Sequence, residues 1–127
     1  HHADLDLDAS SGVRFHPVEI MLSVAWKSAF VALLGGHFLA ASAFELLVFS
    51  AAVFNHSNLC LSAGLDAALR LVVVTPDMHR VHHSADAAER DTNFGFGVPW
   101  WDQLFGTYRA EPALPHETLP LGLGGPA

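Results

Sequence analysis

The sequence predicts an all-α protein built around a membrane-embedded helical hairpin, and three observations carry that expectation. An apolar stretch runs from Pro17 to Phe54 and is broken only by Gly35-Gly36. Charged residues make up 15% of the 127-residue chain, against about a quarter in an average soluble domain. Nine histidines outnumber the six lysines and arginines, and three of them fall in one H-x-x-H-H run that follows a helix-start signal.

Length and charge narrow the field further. The chain is long enough for one domain. With 13 acidic against 6 basic residues and a net charge of −7, it has no basic stripe of the kind nucleic acid requires, so no nucleic-acid partner is expected. A single cysteine, Cys60, excludes an internal disulfide framework and a cysteine-based zinc site.

Residues 1–16 are polar and acidic and read as a solvated loop or a short exposed strand. Asp4, Asp6 and Asp8 alternate as in a calcium loop, but Ala9 stands where the turn glycine belongs and Phe15 where the closing glutamate belongs, which excludes an EF-hand. The chain opens on His1-His2 without a signal-peptide pattern. That start reads as the middle of a motif, and the expectation is a fragment whose N-terminal part lies elsewhere.

The hairpin is expected at about 17–34 and 37–54. Pro17 suits a first helical turn and Glu19 favours a helix N-terminus. Each arm of about 18 residues reaches about 27 Å, slightly short of a hydrocarbon core of about 30 Å. Two short spans and a deep re-entrant hairpin both fit; a buried hairpin in a soluble bundle is the competing reading. Lys27 and Glu45 sit at matching distances from the glycine turn, so the two charges are expected to pair across the hairpin or to face a neighbouring helix together.

After the hairpin, Leu65, Ala68, Leu69 and Val72 recur at helical spacing with Asp66 and Arg70 off that face, which predicts a short interfacial helix. Thr75-Pro76-Asp77 then supplies an N-cap, a first-turn proline and an acidic residue at the positive helix end. The helix it opens carries His79, His82 and His83. Asp91–Gly95 reads as a turn, and the aromatic run around Trp100, Trp101, Phe105 and Tyr108 is of the kind found at a membrane–water boundary. The Pro- and Gly-rich segment 111–127 reads as a loosely ordered tail after a domain spanning 1–110.

On a helix of 3.6 residues per turn, His79, His82 and His83 fall within an arc of about 100° and can face one pocket. His56 closes the second arm at the level where the hairpin returns to the polar side. His16 precedes the first arm on that same side, and His1-His2 are weaker candidates on their own. His37 lies at the opposite turn, too far away to join them, and His116 is expected in solvent. A site of imidazoles accepts iron, zinc or copper, and six converging histidines are enough for two metals. Two metals beside a membrane lipid point to oxygen activation at C–H bonds. Two readings compete: an inactive, truncated membrane remnant that still binds metal, and a soluble zinc metallohydrolase using His79, His82 and His83.

Together these segments resemble the fatty acid hydroxylase/sterol desaturase superfamily, the membrane-bound di-iron oxygenases with histidine-rich motifs. His1-His2 and the acidic loop are similar to the end of its middle H-x-x-H-H box, and Arg14–Glu19 to the segment opening its third and fourth membrane helices. Asn55-His56-Ser57-Asn58 matches its single-histidine motif, and Thr75–Ser84 its last histidine box. Asn93-Phe94-Gly95 and Trp101–Tyr108 match its C-terminal signature. The resemblance implies that His1, His2, His56, His79, His82 and His83 bind two iron ions, with His16 and Asn93 beside the metals and not ligands to them. It implies O2-dependent hydroxylation or desaturation of a sterol-type or fatty acyl-type lipid, with electrons from a separate reductase. The family's first H-x-x-x-H box, the leading histidine of its middle box and two upstream membrane helices are not in this sequence, so the fragment alone is expected to be inactive. Arg70, Arg80, Arg90 and Arg109 all follow the hairpin on the histidine side, which places that side in the cytoplasm.

Overall fold

The apolar stretch folds as two helices joined at the paired glycines. In a computed structural model, which describes residues 2–123, α1 spans Pro17–Leu34 and α2 spans Phe38–Asn55, 18 residues each. Both start the same way. An extended histidine, His16 or His37, caps the helix by accepting a hydrogen bond on its ring Nδ1 from the backbone two residues on. Gly35 ends α1 in the left-handed region at φ 67°, a conformation that glycine adopts without steric cost.

Both helices are long and apolar enough to cross a membrane. No residue of α1 is buried, and in α2 only Ala52 and Asn55 are. An unburied apolar helix is costly in water and natural in lipid. Lys27 and Glu45 pair across the hairpin as their register requires: Lys27 Nζ stands 2.8 Å from Glu45 Oε1 and 2.9 Å from Oε2.

The remaining helices are short: α3 at Ala63–Leu69, α4 at Pro76–His82, α5 at Ala87–Arg90 and α6 at Trp100–Phe105. A 3-10 turn at Ser11–Val13 precedes the hairpin, and no strand occurs among the described residues. In α3 the polar side faces inward. Asp66 is buried and pairs with Arg70, whose Nη1 donates to the Ala110 carbonyl at 2.5 Å. Leu65 and Val72 are exposed. The charges are thus spent on fastening α3 to the C-terminal segment, which leaves the apolar residues on the outer surface.

The core sits where the end of α2 meets α4, around Val74, Met78, Val81 and Ala52. The segment after residue 110, expected to be loose, is instead tied back onto α4 and α5 as far as it is described. Ala113 N–H donates to Glu89 Oε1 at 2.6 Å, Ala85 N–H to the Pro120 carbonyl at 2.8 Å and Gly122 N–H to the His83 carbonyl at 3.1 Å. Backbone groups of the histidine helix's C-terminus thereby find partners in a segment with no regular structure of its own.

The ion pair yields a stability prediction. Replacing Lys27 or Glu45 alone by leucine strands one charge near the middle of an apolar helix, at a cost of about 3 kcal/mol. The Lys27→Leu/Glu45→Leu double variant should recover most of that loss, because no unpaired charge remains. Unfolding of the four proteins in detergent checks it; equal losses in single and double variants would contradict the pairing.

Candidate metal centre

Two elements build the centre. In α4, Thr75 Oγ1 accepts a hydrogen bond from Met78 N–H, Pro76 occupies the first turn and Asp77 sits at the positive end. This start sets the helical phase that places His79 and His82, with His83 as the C-cap. From the hairpin comes His56, the C-cap of α2, whose Nδ1–H donates to the Ala52 carbonyl at 2.8 Å. That bond selects the tautomer with the lone pair on Nε2.

The three buried rings of His56, His79 and His83 converge on one point. Nε2 of His79 lies 3.2 Å from Nε2 of His56 and 3.2 Å from Nε2 of His83, and one ligand atom from each ring falls within 4.8 Å of the others. Protons serve this arrangement poorly, since a single N–H on His79 can be aimed at only one of its two neighbours. A cation at the common point satisfies all three lone pairs. Imidazole nitrogens held about 2.0–2.1 Å from one ion stand about 2.8–3.4 Å apart for angles between right and tetrahedral, so the two 3.2 Å separations from His79 fit a metal. His79 Nδ1 is also buried without a hydrogen-bond partner.

Two more histidines flank this trio. His2 stacks on His83 with ring centroids 4.3 Å apart and meets His82 edge-on at 4.7 Å. His82 Nδ1–H donates to the Thr92 carbonyl at 2.9 Å, again leaving the lone pair on Nε2. Five imidazoles therefore form one cluster. His1 lies outside the described residues.

Four of these rings are held neutral. Burial, reinforced by the neighbouring imidazoles, pushes the His83 ring down to about 2 and the His2 ring down to about 4. Burial also lowers His79 well below the ordinary 6.5, and lowers His56. Neutral rings are the ligand form, so the site keeps its affinity for a cation where exposed histidines would have protonated.

The other sequence candidates sit elsewhere or act indirectly. His16 and His37 are exposed and cap their helices. His116, expected in solvent, is half-buried and lies 3.5 Å from a Glu111 carboxylate oxygen. Asn93 is fully buried at φ 50°. Its Nδ2 donates to the carbonyls of Met78 and Arg109, and its Oδ1 accepts from Arg109 N–H at 2.9 Å. It thus locks α4 to the C-terminal segment and fixes Thr92 beside His82.

Three residues gave no usable signal in the sequence. Gly12 packs so tightly against α2 that a Cβ there would lie 2.9 Å from the Ala52 carbonyl oxygen and 3.0 Å from His56 Nδ1. Buried Glu89 accepts hydrogen bonds from Ser84 Oγ and Ala113 N–H and pairs with Arg109 at 2.9 Å. Buried Asp102, which the sequence shows only as part of the C-terminal signature with no role of its own, accepts from Phe94 N–H, Gly95 N–H and Thr107 Oγ1. It shapes the loop that carries the carbonyl partner of His82.

An apolar groove of about 660 Å³ opens beside the cluster, with His2, His56, His79 and His82 at one end and Lys27 and Glu45 at the other. Val24, Val48 and Phe49 line it between them. A lipid tail fits that chemistry.

Two predictions follow from the geometry. Gly12→Ala should displace the His56 ring and weaken metal binding about 10-fold or more, the usual effect of disturbing a ligand's support; competition against a chelator measures it. In the metal-free protein the unfolded chain binds protons before the folded one, because the folded-state histidine pKa values are depressed. Stability is then full above the ordinary value of 6.5 and drains as the pH falls toward about 4. Melting in detergent across that range should show a falling Tm, and a flat profile would contradict it.

The chain is similar to known proteins. Residues 1–107 match the fatty acid hydroxylase family. An ornithine lipid hydroxylase, OlsE of Rhizobium tropici, is 32% identical over 115 residues, covering 88% of this chain and 33% of that protein. Human alkylglycerol monooxygenase is 42% identical over 43 residues, 34% of this chain and 10% of that enzyme. The chain thus spans about a third of the first relative's length and a tenth of the second's. No solved structure matches it. With a match over most of its length and a histidine cluster at the mouth of an apolar groove, the chain belongs to the fatty acid hydroxylase family.

Proposed function

We propose that this chain carries the larger part of the metal centre of an O2-dependent lipid hydroxylase that holds two iron ions and inserts oxygen into a C–H bond. The observation that carries the reading is the meeting of three buried imidazoles, with His79 Nε2 at 3.2 Å from Nε2 of both His56 and His83, flanked by His2 and His82, at the end of an apolar groove. His1, His2, His56, His79, His82 and His83 are the proposed ligands. Imidazole suits iron as well as zinc; the relatives are named a lipid hydroxylase and an alkylglycerol monooxygenase, and an O2-dependent oxidation of that kind calls for iron.

Bound iron would supply the activation of O2 that an unactivated C–H bond requires. The chain's own residues supply the rest. Ala52 and Thr92 accept the Nδ1–H groups of His56 and His82, aim the opposite nitrogens and hold the rings against rotation. The groove would lay a tail beside the cluster. Asn93 and Asp102 support the loop against which His82 rests. The second oxygen atom leaves as water, with electrons from a separate reductase. Hydroxylation is favoured over desaturation because a hydroxylase and a monooxygenase are the relatives. In this reading the two apolar helices embed the protein in the membrane, and the arginines after the hairpin support a cytoplasmic position for the cluster. A zinc hydrolase on His79, His82 and His83 alone would leave His2 and two unburied apolar helices without a role.

The test is to express the gene with its flanking sequence in membranes, load it with iron under reducing conditions and supply isotopically labelled O2. Label in the lipid product, lost with His79→Asn or His83→Asn together with bound iron, is the expected result. A single bound zinc with hydrolysis and no labelled product would overturn the proposal.

A further inference from the structure

The groove beside the histidines runs up to Lys27 and Glu45, whose paired side chains bridge the two helices and are 40% and 49% exposed. On their far side a second groove of about 680 Å³ runs on to the Gly35-Gly36 turn. Val24, Lys27 and Glu45 line both. Along α2 the pair lies about 16 Å from His56, at 1.5 Å per residue.

Building on the lipid hydroxylase reading, we propose that the Lys27–Glu45 ion pair is the floor of the lipid slot and sets the longest acyl segment the site accepts below the histidines. The pair is a floor and not a receptor for a charged group, because each partner is already satisfied: Lys27 Nζ contacts both Glu45 carboxylate oxygens, at 2.8 and 2.9 Å. Its net charge is zero, so it offers no unmatched charge to a headgroup. A tail longer than the upper groove must part the two groups in an apolar surrounding, where separated charges are most costly. Removing both charges with small residues joins the grooves. Specificity for length then becomes the energy of holding this bridge closed, a repulsive device against longer substrates.

The experiment uses the purified full chain in nanodiscs with a series of acyl lipids of increasing length, each bearing a photoactivatable group at the chain terminus. Cross-linked residues are located by mass spectrometry. In the wild type, labelling is expected on Val48 and Phe49 above the bridge, and longer tails should lose uptake without reaching Ala32 or Ala41 beneath it. In Lys27→Ala/Glu45→Ala the longer tails should label Ala32 and Ala41. The charge-swapped Lys27→Glu/Glu45→Lys protein restores a bridge and should return the wild-type length limit, which separates a floor from a fold defect. Tails that label Ala32 in the wild type, or a length limit unchanged in the double alanine variant, overturn the floor while leaving the hydroxylase reading intact. Absence of any labelling at Val48 and Phe49 overturns both.

Discussion

The hydrogen bond from His56 Nδ1–H to the Ala52 carbonyl is the contact on which the rest of the arrangement turns. It lies at the last turn of a helix that otherwise faces outward, and it converts a helix end with unsatisfied carbonyls into a fixed imidazole. By choosing the tautomer, it presents Nε2 to His79 and so joins the hairpin to the capped histidine helix. Gly12 lies directly against this bond and leaves room for no side chain. A loop outside the hairpin thereby sets how accurately one ligand is held.

The chain also separates its apolar and polar surfaces in an unusual sense. The hairpin buries almost nothing, and α3 turns Asp66 and Arg70 inward while Leu65 faces out. On α6, Trp101, Leu104 and Phe105 are likewise exposed. Such a surface is stable where the surroundings are hydrocarbon and not water. The buried side of the protein is accordingly polar. Histidines, Asn93, Glu89 and Asp102 lie inside, and each of the last three meets several donors or acceptors. Buried polar groups are tolerated when every one is satisfied, and such networks hold a unique geometry better than packing alone.

That network has a consequence for the groove. The backbone of residues 92–95 is held by Asn93 and Asp102, so His82 has a fixed acceptor in Thr92 and Phe94 stands edge-on to its ring at 5.6 Å. Gly95 is required because a Cβ would come within 2.6 Å of Asp102 Oδ2. The histidine end of the groove is therefore held by a hydrogen-bonded loop, whereas its far end is spanned by two long side chains on separate helices.

The sequence by itself determined the elements. Apolar length, two glycines and a Thr-Pro-Asp start set the hairpin and the histidine helix nearly to the residue, because those signals are local and act within a few positions of the chain. Helical spacing grouped His79, His82 and His83, and equal distances from the turn anticipated the bridge between Lys27 and Glu45. Periodicity finds a helix at Ala63–Leu69, although Val72 lies beyond its end, and it does not reveal the inward turn of Asp66 and Arg70, since it defines a face without saying what it meets. Only the tertiary structure decided which nitrogen of each ring is presented, that Gly12 guards His56, that Glu89 and Asp102 are buried, and that the C-terminal segment packs back on the histidine helix. These depend on contacts between residues far apart in the chain, where the energy of a polar group is set by its surroundings and not by its neighbours in sequence.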